Sequence, residues 1–363
     1  MVLSRREDSY GDDSMTVEEF LAEWNNGSDC VAVHTSGSTG APKLMMAEKR
    51  RMEASARMTC KTLGLSRGDK ALVCLSMDYI AGKMMVVRCV TCGLDMMCVE
   101  PSGHPLATVC SRIDFAAMVP MQVFNSLEDD VERQRLMDIG NLLIGGGAID
   151  ERLESALREF PNAVWSSYGM TETLSHIALR RLDGEHASLW YCPLDGVRVS
   201  LDSDGCLVVS APAVCGQKLH THDLAVVEDT DSGQRFRITG RIDNVICSGG
   251  VKIQIEEVED ALRPYLSAPF MITRRPSEKF GEEVVMLTED DDSDAVLSVC
   301  RRVLPRYSQP KACRHVASLP VTATGKPARG EAAKIWKQPL KGKSVICPAV
   351  IYAFALTARP SPT

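Results

Sequence analysis

Aromatic side chains are scarce. Phe, Tyr and Trp make up 5% of the 363 residues while Met alone numbers 17, so Met and aliphatic residues carry most of the packing. No apolar run reaches the ~18 residues that a membrane-spanning helix needs. The opening residues, Met-Val-Leu-Ser-Arg-Arg-Glu-Asp, lack the apolar segment of a secretory signal. An excess of positive charge is also missing. With 41 Lys+Arg against 48 Asp+Glu the net charge is −7, which argues against a general nucleic-acid binder and leaves room only for a local basic patch. Fourteen cysteines without a secretion signal fit reduced thiols in a cytoplasm. Cys89 and Cys92 form a Cys-x-x-Cys with Cys98, His104 and Cys110 nearby, but no second such pair completes a tetrahedral zinc set, and buried structural thiols are the simpler reading. The remainder is ordinary for a globular protein, 45% apolar and 25% charged, in a chain long enough for two or three domains.

What is present is organised around Thr35-Ser36-Gly37-Ser38-Thr39-Gly40-Ala41-Pro42-Lys43, which follows the apolar run Cys30-Val31-Ala32-Val33. The glycines allow a tight turn, and the hydroxyls, backbone N–H groups and Lys43 suit phosphate oxygens. The lysine spacing is not that of a Walker loop, and a flexible Ser/Gly linker is the competing reading. Before the loop, Thr16 and Glu19 frame a capped helix through Trp24. After it, Met52, Ala56, Thr59 and Leu63 keep helical spacing up to Gly64.

Strands at Ala71-Leu72-Val73-Cys74-Leu75, 115–120, 141–144 and 163–167 then alternate with helices, as in a mostly parallel, helix-covered sheet. Tyr79 opens the helix that carries Arg88 in an apolar setting, a charge that needs either a salt bridge or a ligand carboxylate. The charges at Glu128, Asp129, Asp130, Glu132, Arg133 and Arg135 read as a solvated helix face. Gly145, Gly146 and Gly147 form a strand-to-helix turn of the kind that binds nucleotides in α/β folds. From about 190 to 237 short β runs at 197–201, 206–210, 224–228 and 236–238 mark an antiparallel region, followed by a smaller α+β region to about 337.

The chain also carries, in order, Tyr168-Gly169-Met170-Thr171-Glu172, His222-Asp223, Gly240-Arg241-Ile242-Asp243, Gly249-Gly250-Val251-Lys252 and Gly325-Lys326-Pro327-Ala328-Arg329. With the Ser/Thr/Gly loop, this ordered set closely resembles the adenylate-forming superfamily of acyl-CoA synthetases, peptide-synthetase adenylation domains and luciferases. The resemblance implies an α/β fold with a large α/β plus β-rich domain (1–240), a small mobile α+β lid (241–340) and an unassigned tail (341–363). The family's typical member has well over a hundred residues before the loop, so it also implies a shortened N-terminal part.

The implied chemistry activates a carboxylic acid with ATP and Mg²⁺, then passes the acyl group to coenzyme A. Residues Thr35, Ser36, Gly37, Ser38, Thr39, Gly40 and Lys43 would hold the β- and γ-phosphates, Thr171 the α-phosphate, and Glu172 the Mg²⁺. Tyr168 and the three glycines would flank adenine, Asp223 would take the ribose hydroxyls, and Arg241 ribose or phosphate. Lys326 would bridge the acid and the α-phosphate. Asp243 matches the hinge about which the lid turns to present Gly249 and Gly250 to coenzyme A. Positive charge is required at such a site because both reactants are anions.

Among these enzymes the compact chain is similar to o-succinylbenzoate–CoA ligases of the menaquinone pathway. Met118-Val119-Pro120-Met121-Gln122 resembles their Val-Pro-Thr-Gln segment, and Arg88 falls where they carry an arginine. Tyr79 stands in place of the usual histidine. The resemblance implies that Tyr79 and Arg88 line the acyl pocket, with Arg88 holding the acid's second carboxylate. A CoA ligase for another aryl or fatty acid, and a non-catalytic adenylate binder, are the alternatives. The partners are small molecules, and the tail is either disordered or packed on another subunit of a homo-oligomer.

Overall fold

The computed structural model describes residues 14–34, 44–147, 149, 151–322 and 327–337. The chain divides into two compact units, one running to Thr221 and including Ala225–Ile238, the other comprising His222–Leu224 and the chain from Thr239.

The first unit is built on a seven-stranded sheet in the order Asp95–Cys98, Lys70–Val73, Phe115–Met118, Asn141–Ile144, Ala163–Gly169, His176–Arg181, Cys192–Pro193. The first five are parallel, and the last two run antiparallel. Phe115–Met118 is buried at every position, as expected of a parallel strand covered on both faces. Its period-two alternation divides the interior: Phe115 and Ala117 join one core with Ala71, Val73 and Leu143, while Ala116 and Met118 join the other with Leu72, Leu142 and Ile144.

The helices end where the glycines allow. Lys49–Leu63 stops at Gly64 with φ +67°, and Ile80–Cys92 stops at Gly93 with φ +70°, both left-handed caps. Ile80–Cys92 is buried continuously from Gly82 to Cys89, so it lacks a solvent face over that stretch. A Cβ at Gly82 would overlap Ser76 O; the helix start therefore lies directly on the turn that follows Lys70–Val73.

Three sequence expectations change. Cys30–His34 is a strand, in a separate two-stranded sheet where it pairs antiparallel with Leu44–Glu48, a strand not foreseen between the loop and the next helix. The β runs expected at 224–228 and 236–238 are parts of two longer strands, Leu219–Thr230 and Gly233–Arg241, in a four-stranded sheet with Arg198–Leu201 and Cys206–Ser210. Glu132 is not on a solvated face. It is buried, where Ser126 Oγ donates to one carboxylate oxygen at 3.0 Å and His104 Nδ1 lies 2.8 Å from the other.

The second unit holds a sheet of Val251–Gln254, Val245–Ser248, Gly281–Thr288 and Phe270–Ser277, with Cys313–His315 added parallel to Gly281–Thr288. Ile246, Ile253, Ile272, Val284 and Met286 meet Val258, Leu262, Val296 and Leu297 of two helices in its core. Among the described residues no helix is long and apolar enough to cross a membrane.

Candidate active site

The connections that leave the carboxyl ends of the parallel strands carry Tyr79, the three glycines, Thr171 and Glu172 of the expected site. They are the turn to Tyr79 after Lys70–Val73, Val119 and Pro120 after Phe115–Met118, the glycines after Asn141–Ile144, and Met170 onward after Ala163–Gly169. Ligands of open parallel sheets bind at that edge. His34 bridges to Tyr79, which puts the residue preceding Thr35 at the same edge. The loop residues Thr35, Ser36, Gly37, Ser38, Thr39, Gly40 and Lys43, and also Lys326, lie outside the described residues. A groove of about 800 Å³ lined by Ile113, Gly140 and Ala163 adjoins the opposite, amino ends of the strands and takes no part in this grouping.

Backbone proximity accounts for the glycine turn. Gly145 N–H donates to Met118 O at 3.1 Å, and a Cβ there would overlap Ser167 Oγ, which itself donates to Ile144 O at 3.1 Å. Gly146 adopts φ +82°, a conformation that favours glycine. Gln122 secures the neighbouring Val119-Pro120 turn. Its Oε1 accepts from Val119 N–H at 3.1 Å, and its Nε2 donates to Cys74 O and Ser102 O at 3.2 and 2.9 Å.

Tyr168, next to last in its strand, has its ring edge-on to Phe236 at 5.2 Å and tilted against Tyr191 at 5.8 Å. The chain then bulges, and a Cβ at Gly169 would overlap Ser175 O and His176 Cα. The Thr171–Thr173 turn follows, with Thr171 buried and Glu172 exposed. Thr173, fully buried, organises it: Oγ1 accepts from Met170 N–H at 3.0 Å and faces Met170 O and Ser175 O at 2.9 and 2.7 Å. Leu174 closes the turn at φ +65°, the sole non-glycine residue with positive φ among the described residues. Such a conformation costs of order 1–3 kcal/mol and persists where the surroundings over-determine it.

Arg88 comes to this turn from the helix Ile80–Cys92. Its side chain is 2% exposed. Nη2 donates to Ser175 Oγ at 2.5 Å, Nη1 lies 3.6 Å from Met85 Sδ, and Nε is buried without a hydrogen-bond partner. Among the described residues no carboxylate forms an ion pair with it. Burial pushes the guanidinium down to about 10, against weaker opposing effects from the Cys60, Cys89 and Cys92 thiols. Five residues earlier, Lys83 is also buried; its Nζ donates to Ala32 O at 2.8 Å, lies 3.7 Å from Glu23 and sits over the Phe20 ring. One helix thus grips both the strand before the loop and the turn around Glu172.

In the second unit Asp223, Arg241 and Asp243 form one network. Arg241 donates to Asp223 at 2.8 Å and to Asp243 at 3.1 Å, and His222 Nδ1 lies 2.8 Å from Asp243. Burial acts to raise the Asp243 carboxyl, but hydrogen bonds from His222 and Arg241 outweigh it and hold the group below the usual carboxylate range. Gly249 and Gly250, at φ +58° and +84°, make the two-residue hairpin turn between Val245–Ser248 and Val251–Gln254. Val321 bridges to Pro327, next to Lys326, and Arg329 fixes that segment by a double contact with Glu259, both bonds 2.8 Å.

Sequence reasoning gave Gln122 only as part of a motif and missed the contacts of Thr173, Ser175, His176 and Glu259. Thr173 and Ser175 adjoin the Thr171-Glu172 motif, a proximity that offered a clue; Gln122 has a local partner in Val119 but reaches Cys74 and Ser102, and His176 and Glu259 depend on Thr59 and Arg329, all distant in sequence. The cysteine group does not gather: Cys89 is buried, Cys98 and Cys110 are exposed, and His104 contacts Glu132.

A 2-succinylbenzoate–CoA ligase of Bacillus cereus is 26% identical over 335 residues, covering 82% of this chain and 68% of its own. An acyl-CoA synthetase (AMP-forming)/AMP-acid ligase II-like protein from Dyadobacter fermentans DSM 18053 has a TM-score of 0.59 at 34% identity, covering 86% of this chain and 92% of that one. The o-succinylbenzoate CoA synthetase MenE from Bacillus subtilis, solved with the acyl-adenylate OSB-AMP, has a TM-score of 0.69 at 22% identity over 86% of this chain and 69% of its own, a likeness of fold. The AMP-binding enzyme family matches residues 4–217, more than half of the sequence. The chain belongs to that family, within the adenylate-forming superfamily.

Proposed function

We propose that this chain, an AMP-forming acid–thiol ligase that uses ATP, joins o-succinylbenzoate to coenzyme A in menaquinone biosynthesis. The observation that carries the choice of acid is Arg88, a buried guanidinium without a carboxylate partner among the described residues, attached to the turn that bears Thr171 and Glu172. Uncompensated buried charge is costly, and a ligand that brings its own carboxylate supplies the missing partner. o-Succinylbenzoate has two carboxylates: the succinyl one reacts and the benzoate pairs with Arg88. At 2% exposure the guanidinium is closed to solvent, so the entering benzoate displaces packed side chains. Met85, an adaptable thioether beside Nη1, is the first to yield.

The remaining roles follow the motifs. The loop from Thr35 to Lys43 holds the β- and γ-phosphates, Gly145, Gly146, Gly147 and Tyr168 frame the base, Asp223 and Arg241 serve ribose and phosphate, and Thr171 steadies the α-phosphate. Glu172 fits Mg²⁺ because that ion is usually held by one or two carboxylates together with substrate phosphates. Among the described residues there is no three-ligand cage to hold it otherwise. Lys326 serves adenylation, while Gly249 and Gly250, beyond the Asp243 hinge, serve thioester formation.

The test is mass detection of the thioester after supplying ATP, Mg²⁺, coenzyme A and a panel of acids. o-Succinylbenzoyl-CoA is the expected major product. Preference for an acid without a second carboxylate would overturn the choice of substrate, and no thioester or pyrophosphate exchange with any acid would favour a non-catalytic adenylate binder. Lys326→Ala is expected to abolish adenylation and spare thioester formation from premade acyl-adenylate; equal loss of both steps would refute its role.

A further inference from the structure

A buried chain of hydrogen bonds runs behind Arg88, and the roles above leave it unused. Arg88 Nη2 donates to Ser175 Oγ at 2.5 Å, Ser175 Oγ lies 3.3 Å from His176 Nδ1, and His176 Nε2 lies 3.1 Å from Thr59 Oγ1. Thr59 Oγ1 in turn donates to Ser55 O at 3.1 Å. Thr59 and His176 are both buried.

Counting protons fixes the direction. The Ser55 carbonyl only accepts, so it takes the single hydroxyl proton of Thr59, and the Thr59 oxygen accepts from His176 Nε2–H. A neutral imidazole protonated at Nε2 presents a lone pair at Nδ1, and Ser175 donates to it. The Ser175 oxygen then accepts from Arg88. Burial, with the Arg88 charge added to it, keeps the imidazole neutral. Every link is satisfied in this one arrangement, and a chain aligned in one direction polarises its members cooperatively.

The choice of acceptors matters for the charge. A carboxylate in place of Ser175 would satisfy Nη2 equally well but neutralise the guanidinium and repel an incoming anion. A serine backed by a neutral histidine fixes the position of Nη2 and leaves the positive charge intact. Nε stays without a hydrogen-bond partner.

We propose that Ser175, His176 and Thr59 are positioning residues that orient Arg88 and preserve its charge for the second carboxylate of the acid, so that they set selectivity for dianionic over monoanionic acids. The proposal rests on the reading of Arg88 given under Proposed function. It also joins the acid contact to the proposed nucleotide contacts, because Ser175 belongs to the turn stabilised by Thr173, next to Thr171 and Glu172.

The test is steady-state kinetics of the full chain with o-succinylbenzoate and with 4-oxo-4-phenylbutanoate, which lacks the ring carboxylate. Ser175→Ala is expected to raise KM for o-succinylbenzoate roughly tenfold, the scale of one charge-assisted hydrogen bond. KM for ATP and for the monoanionic acid should stay within about twofold, and Ser175→Thr should restore much of the loss. Thr59→Val, which acts only through the His176 tautomer, should shift the same KM in the same direction by a smaller factor. Melting curves of each variant separate this effect from misfolding. If Arg88→Met raises KM for o-succinylbenzoate while Ser175→Ala and Thr59→Val leave it unchanged, the positioning role is wrong and the reading of Arg88 survives. If Arg88→Met also leaves it unchanged, that reading falls, and the positioning role with it.

Discussion

Replacing Arg88 by Met should impair recognition of the acid and yet leave the unliganded protein at least as stable as its parent. Burial holds the guanidinium down at about 10. That is roughly two and a half decades below its ordinary value, or about 3–4 kcal/mol of net penalty at ~1.4 kcal/mol per decade. The sign is that of a group charged in both states at neutral pH but less comfortable in the folded one, so the charge subtracts from stability. Against this, the substitution loses the bond to Ser175 Oγ, a charge-assisted contact of about 1.5–3 kcal/mol. Met fills similar space without a polar atom to satisfy. The net expectation is a gain of about 0–2 kcal/mol, or roughly 0–8 °C in the melting midpoint of a unit of this size. Calorimetry of the apo protein reads it. An arginine serving a structural ion pair would behave in the opposite way, losing about 3–5 kcal/mol when removed, and a loss of that size would refute the argument.

Three further outcomes follow from the geometry. Gly169→Ala would drive a methyl into Ser175 O and His176 Cα; it should cost more than about 2 kcal/mol and abolish pyrophosphate exchange, and wild-type activity would show that the turn tolerates the shift. Glu259→Ala leaves the half-buried Arg329 without its carboxylate partner, with only Ile272 O still accepting from it, so the second unit should lose up to about 3 kcal/mol and melt ahead of the first; an unchanged calorimetric profile would contradict this. His176 is held neutral in the fold by burial and by Arg88, whereas in the unfolded chain it protonates below its usual range near ~6.5. The unfolded state therefore binds the extra proton, and stability present above that range is lost as pH falls, by about 1.4 kcal/mol at one unit below. Denaturation midpoints between pH 7.5 and 5.5 should fall less in His176→Gln than in the parent, and parallel curves would argue against a buried neutral histidine.

How far the sequence could be read depended on whether a feature was local. The Thr16–Glu19 capping box is present as expected, because both partners lie within one turn. Leu44–Glu48 was hidden for a local reason too: Met-rich and free of β-branched residues, it runs directly into Lys49 with no side-chain cap to mark the boundary. The motif order placed Tyr168, Thr171 and Glu172 on a strand-to-turn connection, where they stand. Thr59 was counted as a core position and is one, but the use of its hydroxyl depends on His176, 117 residues away. Glu132 looked solvated for the same reason, since its partner His104 is 28 residues distant and charge alone does not reveal burial.

The helix Ile80–Cys92 holds its two clients by different means, and this bears on how the enzyme could be retailored. Lys83 grasps a backbone carbonyl, Ala32 O, which any amino acid placed at position 32 still presents. Arg88 grasps a side chain, the hydroxyl of Ser175, which a single substitution removes. If the proposed roles hold, the nucleotide side is anchored to something mutation cannot easily erase, and the acid side to something it can. New acid preferences can be sought by rewriting residues 88, 175 and 176 while the grip on the strand before the loop stays in place.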